Sequence, residues 1–225
     1  MILTPQQETI LDIFAGSGLS EKFYWTGGTL LSHYYLKHRY SYDLDFFSDS
    51  PFSYQDLANF LTAVKKSLKI EELEEVKIHD RWEFVIHATK PETRFEFVHY
   101  NHEKKRLAKL IKYRGLLIDS LPDMAANKTM ALIDRNHSKD LYDVYILLKR
   151  KKFTVPELLT LVHNKFGVHF DDFIFWSECA KALKKLPELK PYFTEKSEQK
   201  QGKIIKDVRS FFLEEGANYL SKRIG

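Results

Sequence analysis

Residues 23–47 read FYWTGGTLLSHYYLKHRYSYDLDFF, and the rest of the chain can be placed around them. Phe23-Tyr24-Trp25 is an apolar run that predicts a short buried strand. Thr26-Gly27-Gly28-Thr29 turns the chain into a helical stretch over Leu30–Leu36, and His38-Arg39-Tyr40-Ser41 brings it back into a second strand carrying Asp43 and Asp45. Residues two apart on a strand face the same way. Asp43 and Asp45 are therefore expected side by side on one face, with Leu44 and Phe46 turned into the core.

Two neighbouring carboxylates repel unless a cation lies between them, and a hard divalent ion such as Mg2+ prefers that kind of oxygen pair. Glycines ahead of a helix let the backbone approach a phosphate, and the N–H groups of the first turn favour an anion. The stretch thus predicts a site for a metal ion and a triphosphate.

Working outward, Thr4-Pro5-Gln6-Gln7 carries a capping box and a first-turn proline, which starts a helix over 5–15. Ser50-Pro51 breaks the chain, and Leu57, Phe60, Leu61, Val64 and Leu68 recur at helical spacing over 54–68. Three β-rich runs follow at 76–79, 82–87 and 93–99. In the last of them Phe95, Phe97 and His99 share one face, and Arg94, Glu96 and Val98 the other. From Leu121 the pattern is helical: 123–133, then 139–149 behind a Ser138 cap, then about 155–166, 171–185 and 200–222. The pattern divides the chain into a mixed α/β half, 1–120, and an all-helical half, 121–225.

The composition, 44% apolar and 29% charged, is that of an ordinary globular protein. There is no apolar run of about 18 residues, so no spanning helix is expected and no membrane partner. MILTPQQETILDIF has no basic leader region or small-residue cleavage site, so no secretory signal is expected. The single cysteine, Cys179, excludes an internal disulfide and a cysteine metal cluster and fits a cytoplasmic location. Net charge is only +4, but residues 104–114 hold six Lys/Arg and no acid. Such a run either tracks a nucleic-acid backbone or is a solvated face.

Gly27-Gly28-Thr29-Leu30, followed by Arg39-x-Ser41-x-Asp43-Leu44-Asp45-Phe46-Phe47, resembles the signature of the AbiEii/AbiGii-type nucleotidyltransferases. These are toxins of bacterial toxin–antitoxin and phage-abortive systems within the polymerase-β superfamily. Lys128-x-x-Ala131-Leu132-x-x-Arg135-x-x-x-Lys139-Asp140-Leu141-Tyr142-Asp143 resembles the family's second motif block. The resemblance implies an α+β fold, with a polymerase-β-like core of a small mixed sheet and flanking helices, followed by the helical half. It implies transfer of a nucleoside monophosphate from an NTP to an acceptor hydroxyl, with RNA, a tRNA 3′ end among them, or a protein side chain as acceptor. It also implies a cognate antitoxin protein.

The resemblance further implies site residues. Asp43 and Asp45 would hold one or two Mg2+ ions, or Mn2+ in their place, with Glu96 as third carboxylate; the bland reading of Glu96 is a surface acid paired with Arg94 or Arg81. Gly27, Gly28 and Thr29 would cradle the triphosphate, Thr29 replacing the serine usual in this superfamily. Arg39 and Ser41 would contact phosphate or order the backbone. Lys128 would bind triphosphate or leaving pyrophosphate. Asp140 and Asp143, neighbours on one helix face, would order Lys128 or Arg135, hold the nucleotide or assist the acceptor. Otherwise Asp140 is a first-turn acid favoured by the helix dipole and Asp143 pairs with Arg135. Lys104, Lys105, Arg106 and Lys109 are the candidate RNA contacts. The competing readings are a small-molecule nucleotidyltransferase and a non-catalytic nucleotide- or RNA-binding module.

Overall fold

A computed structural model describes residues 2–87, 91–101 and 105–224. The chain forms two compact units, Met1–Met124 and Ala125–Gly225.

The first unit opens with α1 (Pro5–Ala15), where Thr4 caps the helix and Gln7 returns the bond to the Thr4 backbone. A short α2 (Leu19–Lys22) leads into β1 (Tyr24–Thr26). The next helix starts as α3 (Gly27–Leu30) and widens into a π-helical segment, Leu31–Leu36, which Lys37 closes in the left-handed conformation with its N–H donating to Ser32 O at 2.8 Å. Then come β2 (Asp43–Ser48), α4 (Tyr54–Leu68), β3 (Glu74–Ile78), β4 (Arg81–Ile86) and β5 (Thr93–His99). A hairpin of β6 (Ile111–Tyr113) and β7 (Leu116–Ile118) completes the sheet.

The described strands make one seven-stranded sheet in the order β3-β4-β5-β2-β1-β7-β6. β2 runs parallel to β5 and β1 to β7, and the other pairs are antiparallel. One face is a slab of aromatic rings. Phe46, Phe84, Phe95 and Phe97 are buried there, with Phe14 of α1 stacked on Phe46 at 4.2 Å and Phe60 of α4 edge-on to Phe97 at 5.4 Å. Each such ring, fully buried, contributes roughly 1.5–3 kcal/mol. The alternation along β2 and β5 then fixes what faces the other way: Asp43, Asp45, Arg94 and Glu96, all at least partly exposed.

The second unit follows the expected helical pattern: α5 (Leu121–Arg135), α6 (Ser138–Arg150), α7 (Val155–Phe166), α8 (Asp172–Ala182) and α9 (Glu198–Ile224). The boundary between the units falls within α5. Ser138 is the first residue of α6 and the N-cap is His137, which has extended backbone and makes no side-chain cap bond. The helix expected over 171–185 stops at Ala182, and a 3-10 stretch over Leu183–Tyr192, with prolines at 187 and 191, follows it. Among the described residues no helix is long and apolar enough to cross a membrane.

Candidate active site

The turn after β1 is held from below. Thr26 is the N-cap residue of α3 but makes no side-chain cap; its hydroxyl donates instead to Asp119 Oδ2 at 3.0 Å. Asp119 is buried, and its own N–H donates to Trp25 O at 3.0 Å. The first turn of α3 is therefore left without a side-chain cap from Thr26, an arrangement that favours an anion.

Gly27 has φ +78, a left-handed backbone that a side chain disfavours. A β-carbon built on it would overlap the Asp45 carboxylate outright and lie 2.8 Å from Asp45 Cβ. The absence of a side chain is what lets the Asp45 carboxylate rest against the backbone of the turn. Gly28 is not left-handed. Thr29 is fully buried, and its hydroxyl donates to the Asp43 carbonyl, tying the helix to the start of β2. That hydroxyl anchors the helix to the carboxylate strand.

Strand register brings further groups to this face. Asp43 lies opposite Arg94 and Asp45 opposite Glu96 on β5, and Glu96 lies opposite Glu83 on β4. Arg94 Nε donates to Asp43 Oδ1 at 3.1 Å, and its other arm reaches Glu83 Oε1 at 3.4 Å. Arg81 pairs with Glu96 at 3.3 Å. Burial pushes the Glu96 carboxyl above its usual range; Arg81 and a hydrogen bond with Asp45 pull the other way without cancelling it. The face thus carries four carboxylates, Asp43, Asp45, Glu83 and Glu96, against two guanidiniums, Arg81 and Arg94. Asp43 is turned toward Arg94 and Glu96 toward Arg81, and among the described residues no three His, Cys, Asp or Glu are gathered as a ready-made metal cage.

Arg39 and Ser41 are both buried. Arg39 donates to Tyr40 O at 2.9 Å, and the Ser41 carbonyl accepts from Gln7 Nε2 at 3.0 Å. Their visible work is ordering the loop into β2. Gln7 does two jobs there, since it also closes the α1 capping box.

In the second unit, Lys128 of α5 is buried between Asp140 and Asp143 of α6, with Nζ 3.1 Å from Oδ1 of the first and 3.1 Å from Oδ2 of the second. Arg135 pairs with Asp140, Nε to Oδ2 at 2.8 Å. Burial alone would raise the Asp140 carboxyl, but Lys128 and Arg135 together hold it below its ordinary value of 3.8. The candidate residues therefore form two groups, Gly27, Thr29, Asp43, Asp45 and Glu96 in one unit and Lys128, Asp140 and Asp143 in the other.

The basic run separates into fixed and solvent-facing cations. Arg106 donates to both Asp49 oxygens at 2.8 and 2.7 Å, lies 3.6 Å from Asp119, and stacks over the Tyr24 ring at 4.4 Å. Lys105, Lys109 and Lys112 are exposed. Lys104 lies outside the described residues. The sequence does not single out Glu83 or Asp119, and it marks Gln7 only as a capping-box residue and Lys112 only as part of the basic run. Alternation along 81–86 was the one signal for Glu83, while Asp119 and Gln7 gain their partners only through long-range contacts.

This seven-stranded mixed sheet with its flanking helices recurs in solved structures. JHP933 of Helicobacter pylori shares the fold at a TM-score of 0.58 and 16% identity, over 97% of this chain and 95% of that one. A second Helicobacter pylori structure, a candidate nucleotidyltransferase, gives a TM-score of 0.50 and 18% identity over 82% and 94% of the two chains. An uncharacterised protein of Aquifex aeolicus (strain VF5) is 26% identical over 203 residues, 87% of this chain and 93% of its own length. The profile of the nucleotidyl transferase AbiEii toxin of type IV toxin–antitoxin systems matches residues 9–215, and the chain belongs to that family. It is a nucleotidyltransferase, and its family membership carries with it a nucleotide substrate and an antitoxin counterpart.

Proposed function

We propose that the protein transfers a nucleoside monophosphate from an NTP to a hydroxyl of an RNA acceptor, tRNA among them, in a reaction dependent on Mg2+ or Mn2+. The carrying observation is the seating of the Asp45 carboxylate against Gly27, which puts a metal-binding group and a phosphate-approaching backbone at one point.

The donor set suits a hard divalent cation: Asp43, Asp45 and Glu96 offer only oxygens, and the face has two carboxylates more than it has guanidiniums. A cation held there supplies neutralisation along the triphosphate and a lowered pKa for the attacking hydroxyl. Gly27 and the first turn of α3 bind the phosphates through N–H groups. Asp119, through Thr26, fixes the direction of that turn. The acceptor oxygen bonds to the α-phosphorus as the bond from that phosphorus to the bridging oxygen of pyrophosphate breaks. Glu96, hydrogen-bonded to Asp45, would complete the oxygen set for the cation, and the hydroxyl proton passes to solvent. Rate enhancement comes from positioning and electrostatics, with no covalent enzyme intermediate.

Support for a polynucleotide acceptor comes from the β6–β7 edge. Exposed Lys105, Lys109 and Lys112 lie along and just before it, and Tyr113 makes an edge-on aromatic pair with Tyr34 at 4.8 Å. Lysines that track phosphates beside rings that stack bases are the usual elements of single-strand binding. We place the reaction in the cytoplasm, where the buried thiol of Cys179 stays reduced.

Replacing Lys105, Lys109 and Lys112 by Gln tests the acceptor. Transfer to RNA should fall roughly tenfold or more at moderate salt while NTP binding is unchanged. Undiminished transfer to RNA would remove the polynucleotide reading and leave small-molecule acceptors.

A further inference from the structure

We propose that Arg94 exchanges partners during the reaction: it neutralises Asp43 while the face holds no divalent cation, and turns onto the phosphates of the donor nucleotide once a cation takes Asp43. The proposal rests on the nucleotidyltransfer reading above.

Position comes first. Arg94 is the register neighbour of Asp43 on the parallel strand, and its Nε–Oδ1 bond of 3.1 Å occupies a carboxylate oxygen that a cation would need. A cation and this guanidinium are therefore competitors. The second observation is mobility of commitment. The Arg94 side chain is 46% exposed, and its bonds run to the partly exposed Asp43 and, at 3.4 Å, to Glu83. Exposed ion pairs of this kind hold weakly, so releasing one leaves no buried charge stranded. Arg106 is the contrast in the same unit. It is only 18% exposed, is bonded to Asp49, and lies near the buried Asp119, so leaving would uncover a buried carboxylate.

Chemistry supplies the destination. A planar guanidinium matches two phosphate oxygens at once, which an ammonium does not. Displaced from Asp43, Arg94 lies on the strand beside the carboxylates that would hold the cation, where the triphosphate must lie. Arg81 carries the same charge one strand further out, bound to Glu96 at 3.3 Å and to Glu83 at 3.9 Å, and is not in register with Asp43 or Asp45.

The test uses the full chain with R94Q, R94K and R81Q, their folding checked by thermal melts. Mn2+ binding is titrated without nucleotide, and a non-hydrolysable NTP analogue is then titrated at saturating Mn2+. R94Q should bind Mn2+ roughly fivefold more tightly, because a competing exposed ion pair is gone. It should bind the analogue about tenfold more weakly, as one bidentate phosphate contact is lost. R94K should keep the wild-type Mn2+ affinity and recover only part of the analogue affinity. R81Q should bind the analogue within about twofold of wild type, because Arg81 stays committed to Glu96 and Glu83 and is not in register with Asp43 or Asp45. Unchanged or weaker Mn2+ binding by R94Q, or equal analogue losses in R94Q and R81Q, would overturn the exchange. A wild-type protein that binds no Mn2+ would overturn the metal-dependent reading as well, which is a distinct result.

Discussion

The Asp45 carboxylate rests against Gly27 at a place where no side chain can be accommodated: a β-carbon at 27 would overlap the carboxylate and approach Asp45 Cβ to 2.8 Å. The glycine turn and the carboxylate strand are thus one construction, joined a second time by the Thr29 hydroxyl on the Asp43 carbonyl.

Gly27→Ala should therefore act through Asp45 as well as through the backbone. A left-handed alanine costs roughly 1–2 kcal/mol, which the melting temperature will report. Displacing Asp45 should weaken Mn2+ binding by about tenfold to a hundredfold, the range for loss of a ligand's support. Gly28→Ala, at a position without positive φ, should do much less. Equal effects at the two positions would contradict the seating argument.

Lys128 stabilises the second unit whatever else it does. Lys128→Met takes the ammonium from two fully buried aspartates, and such a loss costs about 3–5 kcal/mol. Urea denaturation of the single variant should show that loss. The double change Lys128→Met with Asp143→Leu should recover much of it, because a buried pair replaced as a whole is far less costly than one broken. A Lys128→Met variant as stable as wild type would mean that the two aspartates are satisfied elsewhere.

The acid limb of stability should carry the mark of Asp140. Its folded pKa lies below the ordinary 3.8, so its contribution is fully present above that value and is lost as pH falls through the folded pKa. The stability gap between wild type and Asp140→Asn should be widest near neutrality and should close on acidification. A gap constant with pH would show that the ion pairs with Lys128 and Arg135 do not set it.

Arg106 should separate from its basic neighbours. Arg106→Ala removes the cation between Asp49 and the buried Asp119 and uncovers Tyr24, and should lower stability by about 1–3 kcal/mol. The Lys105, Lys109 and Lys112 substitutions, all on exposed side chains, should leave the melt within about 0.5 kcal/mol of wild type. A stable Arg106→Ala variant with weakened RNA binding would return Arg106 to the acceptor surface.

Much of this was legible in the sequence because two periodicities were strong. Alternation over 43–48 and 93–99 separated Phe46, Phe95 and Phe97 from Asp43, Asp45 and Glu96, and helical spacing marked α1, α4 and α6. The β6–β7 hairpin was hidden. Its strands are three residues each, they read as a basic run, and Arg114-Gly115 at the turn takes positive φ without the usual Asn-Gly signal. Register was not readable at all. That Arg94 meets Asp43 across 51 residues of sequence depends on parallel pairing of β2 with β5, which no local pattern encodes. The bond from Gln7 to the Ser41 carbonyl and the role of Asp119 under Thr26 were invisible for the same reason: each joins groups far apart in the chain.

Metal-dependent transfer to RNA can be read by incubating the protein and its Asp43→Ala/Asp45→Ala variant with each of the four α-phosphate-labelled NTPs, Mg2+ and total RNA or protein. Label is expected in the RNA fraction from wild type, with none in the presence of EDTA and none from the variant. Label that persists in the variant, or that enters only protein, would contradict the proposed transfer.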